Sequence, residues 1–544
     1  MRLLVQNVTA LALYACLSAI LIWHGASLTH QLSGAGSDPY AFVWFLAWWP
    51  HAFTHGLNPF FTKLIWYPSG VLLFWVTSIP LLSLLAWPVT ALAGPVVTCN
   101  LLIITAPIFG AWSAYFLCRY ITRDFAAALL GGFLFGFSTY ETSQSIGALN
   151  LTVIFLLPLL LLVVLKRLND ELSRPATVAL AAILLLAQFF ICIEIFAMIL
   201  VFGGIAWALA LAYLPTRRPV LRRLFADGLW TGLFVTLPLI PIFVSMARYY
   251  ALINHPAAWP YVYVADLFSI IIPSDLNLFG SPFHGLISGF ADDTQESDAY
   301  LGLPLLIMLV LYLRSQRHTP LARYCGIMFL ICLVCSLGPF LWVAGHFTGL
   351  ALPWLLAVHL PLLSSALPAR FALFTSLVVA TMAAGWLALP DQRKPNLILA
   401  LLACVYLLPR PHPWQPVPWA KFFAPGRVQQ VLGPNPRLII LPFSINGPSS
   451  IWQVQNRFGF TQVGGYLGFP SKPAQAYKAT IELFGDKMGQ TLKAADFATF
   501  AHGNGAQYVV AGPGADPVEL AVIASLGWPE RRVDDVTIFT VPQP

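Results

Sequence analysis

Long apolar stretches, each close to a bilayer's thickness and parted by short loops that hold most of the cations, constrain this chain more than any other feature. A spanning helix needs about 20 apolar residues, and short cytoplasmic loops carry an excess of Lys and Arg. The cations gather at Arg2, Arg119/Arg123, Lys166/Arg167/Arg174, Arg217/Arg218/Arg222/Arg223, Arg314/Arg317/Arg323 and Arg393/Lys394, while the rest of the chain up to residue 408 holds only Lys63, Arg248 and Arg370. Assigning the clusters to the cytoplasm predicts about eleven spans. They lie near 8–28, 96–118, 125–138, 151–166, 177–193, 196–213, 228–246, 299–313, 324–343, 371–389 and 396–408. Residues 29–95, 247–298 and 344–370 then form three long outer segments, and the chain from Arg410 emerges on the same side.

One stretch needs a separate decision. Counting Ser78 to Ala93 as a span would turn the Arg119/Arg123 loop outward. That stretch is short, is interrupted by Pro80 and Pro88, and follows Trp44, Trp48, Trp49, Trp66, Tyr67 and Trp75, residues of the kind enriched at headgroup level. It reads as an interfacial helix.

Composition agrees with a bilayer. Only 9% of the 544 residues are charged and 58% are hydrophobic, against roughly 25% charged in a soluble protein. Disorder, a coiled coil and a disulfide miniprotein are excluded, and so is a nucleic-acid partner, because the net charge of +7 is spread over short loops. Val8 to Leu28 is too long for a signal-peptide core and reads as an uncleaved first span. The eight cysteines all fall in apolar stretches, so Cys332 and Cys335 make a CxxC by spacing alone. Composition changes after residue 408. Past the stiff join Pro409-Arg410-Pro411-His412-Pro413, short apolar strands and helix-like stretches alternate with Gly and Pro turns, as in a small α/β domain. The expected division is therefore a membrane domain, 1–408, and an outer α/β domain, 409–544. The sequence holds no internal repeat, Walker loop, HExxH or spaced zinc cluster.

Few residues in the outer segments can carry chemistry. Asp38 is the only acid before Asp124; followed by Pro39 it suits a helix start, and it equally suits a general base or metal ligand at the membrane's outer face. Between Arg248 and Arg314 there is no Lys or Arg, while Asp266, Asp275, Asp292, Asp293, Glu296 and Asp298 are acidic. Such a group is either a solvated loop or, at Asp292, Asp293 and Glu296, a set of oxygen ligands for a divalent cation. His284 lies nearby. Glu194 interrupts the apolar run Ala176 to Leu214 and marks a site or a turn between two spans, with Glu141 a similar but weaker candidate. Arg370 at an outer span end is either a snorkelling anchor or a fork that holds a lipid phosphate by two parallel hydrogen bonds. His51 and His55 are four apart, as metal ligands or as aromatic packing.

Four short motifs complete the pattern: Ser37-Asp38-Pro39-Tyr40, Ile65-Trp66-Tyr67-Pro68-Ser69-Gly70, Leu367-Pro368-Ala369-Arg370-Phe371 and Gly464-Gly465-Tyr466. With the order of parts, they resemble the GT-C superfamily of polytopic membrane glycosyltransferases, and within it a bacterial YfhO-type group. The resemblance implies transfer of a sugar from a polyprenyl-phosphate donor to a glycan, lipid or protein acceptor, for the cell envelope, at the extracytoplasmic face of the bacterial inner membrane. It assigns Asp38 the role of base or metal ligand. Many relatives pair two acids in that loop, whereas Ser37 and Pro39 flank a single one here. Arg370 would hold the donor phosphate, Glu194 and Glu141 would be auxiliary acids, and Asp292, Asp293 and Glu296 would hold Mg²⁺ or Mn²⁺. Two other readings remain open, a transporter or flippase of lipid-linked sugars and a non-catalytic GT-C-like scaffold. A transporter would place ionisable groups near the midplane and repeat its halves, and neither sign is clear.

Overall fold

The computed structural model describes residues 1–542 except 77, 254–258, 291–293, 360–365, 390–392, 469 and 485–490. Seven helices among the described residues are long and apolar enough to cross a membrane: Arg2–Trp23, Pro95–Thr122, Leu149–Leu168, Arg174–Ile191, Ile193–Tyr213, Pro215–Leu252 and Pro368–Leu387. The other four expected spans hold shorter helices, Phe125–Gly136, Leu303–Ser315, Pro320–Ser336 and Arg393–Tyr406. Length and composition therefore support seven crossings and leave the expected eleven unestablished. The span expected at 324–343 stops at Ser336, because Gly338 takes a φ of +81° and Pro339 follows it; residues 340–351 then form a hairpin. The stretch from Ser78 to Ala93 forms two short helices, Pro80–Leu85 and Trp87–Ala93, each with a proline in its first turn.

The chain folds as two compact units. The first comprises Met1–Ala26, Leu101–Pro238 and Pro256–Pro413. Its helices begin where the sequence supplies caps: Asp124, Ser173 and Thr319 accept from backbone N–H groups one turn on, with proline in the first turn after Ser173 and Thr319. Close packing comes from small residues. A Cβ on Gly136 would lie 2.2 Å from the Ala111 nitrogen, on Gly132 2.1 Å from the Tyr14 hydroxyl, and on Gly131 2.4 Å from Cys118 Sγ and 3.2 Å from the Ala380 carbonyl. Only glycine lets Phe125–Gly136 approach its neighbours this closely, the usual device for helices that water does not drive together. The helix Ala372–Leu387 is apolar and buried on nearly every side.

The second unit comprises Ser27–Asn100, Leu239–His255 and Trp414–Pro544. The boundary at 408/409 expected from composition runs along the chain, whereas contacts in space join Ser27–Asn100 to Trp414–Pro544. A five-stranded mixed sheet lies in this unit, in the order Glu530–Val533, Val536–Thr540, Tyr508–Ala511, Arg437–Leu441, Thr461–Gln462. Arg437–Leu441 runs parallel to both its neighbours, and the rest of the ladder is antiparallel. Leu438, Ile440, Val510 and Ile538 pack on Phe422, Phe423 and Trp452. Beside them the helix Asp38–Thr54 packs on Ser449–Gln455, and Gln31–Ser33 pairs with Trp414–Pro416. Three of the tryptophans of that stretch are core residues of this unit. Trp44, Trp48 and Trp49 are buried, with indole N–H groups donating to Gln453 Oε1 at 2.8 Å, the Pro59 carbonyl at 3.0 Å and the Ser78 carbonyl at 2.8 Å. A buried indole needs such a partner, and here the protein supplies it.

Candidate functional site

Arg370 lies in the short turn Pro368–Phe371 that feeds the central helix of the first unit. Two further elements bring its partners. Cys192, with extended backbone, breaks the run Ala176 to Leu214 into two helices and leaves Glu194 in the first turn of the second, where the helix dipole favours a carboxylate. The run thus turns at Glu194, as one of the two sequence readings held. The short helix Thr294–Ser297 supplies Glu296.

The three side chains form an ion cluster. Arg370 Nε and Nη2 donate to Glu296 Oε2 and Oε1 at 3.0 and 2.8 Å, a two-pronged pairing, and Nη1 donates to Glu194 Oε2 at 2.5 Å. Gln144 Nε2 adds a long contact to Glu296 Oε2 at 3.5 Å. The Arg370 side chain is only 15% exposed. Burial pushes the Glu296 carboxyl up, but the charge and hydrogen bonds of Arg370, helped by Gln144, hold it below its ordinary value. A phosphate approaching Arg370 would find the Nε/Nη2 edge of the guanidinium already taken by a carboxylate.

Glu141 stays outside this cluster. It sits in the short helix Thr139–Gln144, capped by Ser138, and is 1% exposed. Among the described residues neither of its carboxyl oxygens has a hydrogen-bond partner, and burial pushes its pKa well above the usual carboxylate range, so it is held neutral.

Asp38 belongs to the second unit. It is the first residue of the helix Asp38–Thr54, with Pro39 next; the N-cap expected at Asp38 falls on Ser37, whose side chain caps no backbone N–H. Asp38 is exposed. The hydroxyl of Tyr466 donates to Asp38 Oδ1 at 2.5 Å. Local geometry explains why Tyr466 arrives there. Gly464 and Gly465 adopt φ of +133° and +97°, and a Cβ on Gly464 would lie 2.5 Å from the Phe443 ring. The loop is pinned by Trp66 N–H to the Gly464 carbonyl at 2.8 Å and Ser450 Oγ to the Tyr466 carbonyl at 2.8 Å. Three of the four sequence motifs thus meet in one unit, at Asp38, at Ile65 to Gly70 and at Gly464 to Tyr466.

The described acids of the second outer segment other than Glu296 are engaged separately. Asp266 accepts the backbone N–H of Phe268, Ala344 and Gly345; Asp275 pairs with His284; Asp298 accepts from Ser274 Oγ and the Tyr300 N–H. Burial raises Asp298 to about 6 against those hydrogen bonds. Asp292 and Asp293 lie outside the described residues. Among the described residues no three His, Cys, Asp or Glu side chains are grouped to hold a metal. Glu296 already gives both oxygens to a guanidinium, which repels a divalent cation, so the described residues do not fit a metal at that position. The His51 and His55 rings stack at 4.1 Å; burial, then His55, lowers His51 to about 4.

Sequence reasoning missed the pairing of Glu296 and Gln144 with Arg370 and the reach of Tyr466 to Asp38. A signal existed only for Tyr466, in the two glycines before it.

Comparison with solved structures finds the mycobacterial arabinofuranosyltransferase AftD twice, as a mutant and without that mutation. The mutant structure aligns with a TM-score of 0.61 at 13% identity over 98% of this chain and 41% of that one. The other aligns with a TM-score of 0.58 at 15% identity over 98% and 40%. This chain therefore spans about two fifths of the length of those proteins. At such identity the likeness is one of fold, and it is the GT-C fold of an integral membrane protein. No curated protein matches. The likeness to the YfhO-type group rests on the short motifs alone. Residues 7–408, well over half of the chain, match the model of a domain of unknown function, DUF6311, and the chain belongs to that family.

Proposed function

We propose that this chain is a membrane glycosyltransferase that moves a sugar from a polyprenyl-phosphate donor to an acceptor hydroxyl, with Asp38 as its general base. The observation that carries the reading is the exposed Asp38 carboxylate at the first turn of a helix, oriented by the Tyr466 hydroxyl. The GT-C fold shared with an arabinofuranosyltransferase supports it. The distribution of loop cations supports an extracytoplasmic site, with the region after residue 409 outside; a bacterial inner membrane is what the family resemblance implies.

The chemistry is a displacement at the anomeric carbon. The acceptor oxygen forms the new bond to that carbon while its proton passes to Asp38. The bond from carbon to phosphate oxygen breaks, and the lipid phosphate leaves with the electron pair. A phosphate is a stable anion and needs no general acid. Its developing charge does need stabilisation. No step is assigned to Arg370, whose guanidinium is engaged by Glu296 and Glu194, or to a metal.

The test is turnover of the purified chain in lipid nanodiscs with a panel of polyprenyl-phosphate sugars and acceptors, wild type against Asp38→Asn. Loss of turnover in the variant is expected. Equal turnover by both removes Asp38 from the reaction.

A further inference from the structure

Between Arg323 and Arg370 the chain carries no Lys, Arg, Asp or Glu. The apolar helix Pro320–Ser336 opens this run, and the hairpin follows, Phe340–Val343 antiparallel to His346–Ala351. The second strand is exposed along its whole length, with Phe347 at 55% and Leu350 at 58%. A two-stranded ribbon in water is marginal, and one that bares apolar side chains on a strand without covering them is more so.

A second apolar element is fixed to the hairpin by one carboxylate. Asp266, 1% exposed, turns inward; its Oδ1 accepts from Phe268 N at 2.8 Å and Ala344 N at 3.0 Å, and its Oδ2 from Gly345 N at 2.8 Å. The turn Leu267–Ile270 that it caps leaves Leu267, Phe268 and Ile271 exposed. Past the hairpin, Leu356 stands 83% exposed. The only acid in these two elements is thus spent on holding them together, and the surface they offer is apolar.

We propose that the hairpin and the turn form one platform seated in the headgroup zone of the bilayer leaflet at the C-terminal end of the helix Pro320–Ser336. Continuity argues for lipid as the occupant: the uncharged run that begins in this apolar helix passes without a charge through the hairpin. Backbone chemistry sets the depth. Among the described residues the two strands pair only with each other; Thr348 Oγ1 covers the Leu341 carbonyl and the Leu350 N–H, but no further strand covers their outer edges, and hydrocarbon does not tolerate unpaired N–H and C=O groups exposed to lipid. The headgroup zone hydrates such edges and accepts amphipathic rings such as Trp342. This inference is independent of the glycosyltransferase reading.

The experiment uses the full chain in nanodiscs of phosphatidylcholine and phosphatidylglycerol. An environment-sensitive fluorescent amino acid is introduced by codon suppression in place of Leu350, Phe268 or, as a reference on the helix Arg218–Tyr249, Leu237. Lipids spin-labelled at the headgroup or at mid-chain, and aqueous iodide, serve as quenchers. At positions 350 and 268 the expected result is blue-shifted emission quenched most by the headgroup label, while position 237 is quenched most by the mid-chain label. Quenching of 350 by iodide without loss to either lipid label overturns the proposal. Protection from all three quenchers means a protein partner and overturns it too, as does quenching of 350 by the mid-chain label to the extent seen at 237. Different depths at 268 and 350 would break the single platform.

Discussion

Arg370 divides its guanidinium between Glu296 and Glu194 out of contact with most water, whereas Asp38 stands exposed with one tyrosine hydroxyl on it. Both are carboxylate sites on the same chain, yet burial gives them opposite roles. An exposed carboxylate contributes little to stability and is open to a substrate; a buried cluster is costly to disturb and closed to one. The largest expected effect therefore falls on activity at the exposed site. Asp38→Asn should lower turnover about 10²- to 10⁴-fold, the range for loss of a general base, and leave the melting temperature within about a degree or two of wild type. Parallel turnover and thermal unfolding in the same nanodiscs check both halves. A large drop in melting temperature would make Asp38 a structural residue and erase the contrast.

The converse holds for the buried cluster. Arg370→Met removes the only cation among the described residues that pairs with Glu194 and Glu296, and leaves two carboxylates with little access to water. Breaking a buried pair from one side costs about 3–5 kcal/mol, and this variant should lose stability on that scale or fail to accumulate. Glu194→Gln with Glu296→Gln and Arg370→Met together should recover part of the loss, because no carboxylate is then left unpaired. Denaturation in detergent measures both. If the single variant melts like wild type, water reaches the cluster and its burial has been overread.

A smaller effect is expected at Tyr466. Tyr466→Phe keeps the ring and removes the donor to Asp38, so turnover should fall about tenfold, less than in Asp38→Asn. Turnover equal to wild type would mean that the hydroxyl does not orient the reacting group.

How much of this could be read along the chain depends on whether the cause is local. Apolar length is local, so helices stand at all eleven expected places, and the break at Glu194 was visible as a lone acid in an apolar run. Scarcity of charge also made Arg370 and Asp38 visible. What the sequence does not carry is pairing at a distance: Glu296 meets Arg370 across 74 residues and Tyr466 meets Asp38 across 428. Trp44, Trp48 and Trp49 show the same limit from the other side. Their composition suits a headgroup belt, but the partner that buries Trp44, Gln453, lies 409 residues on. The expected span 324–343 overran the helix end at Ser336, although Gly338-Pro339 carried a signal for it: a left-handed glycine and a proline stop a helix whatever its hydropathy.

The smallest effect separates two glutamates of the first unit by the sign of their pH dependence. An unfolded Glu titrates near about 4.3. Glu296 is held below its ordinary value despite burial, so its contribution to stability is present above the unfolded value and lost as pH falls through the folded one. Glu141 is raised by burial, so its contribution is present below the unfolded value and lost progressively as pH rises toward the folded one. Glu141→Gln keeps the size and neutrality of the protonated acid and has nothing to titrate. Melting temperatures from about pH 5 to about pH 8 should therefore fall less steeply in the variant than in wild type, with the two near equality at the acid end. On the acid side, Glu296→Gln should flatten the loss below about pH 5 and leave the alkaline slope alone. Coincident slopes for Glu141→Gln and wild type would mean that water or a cation reaches Glu141 and that its carboxyl is charged when folded.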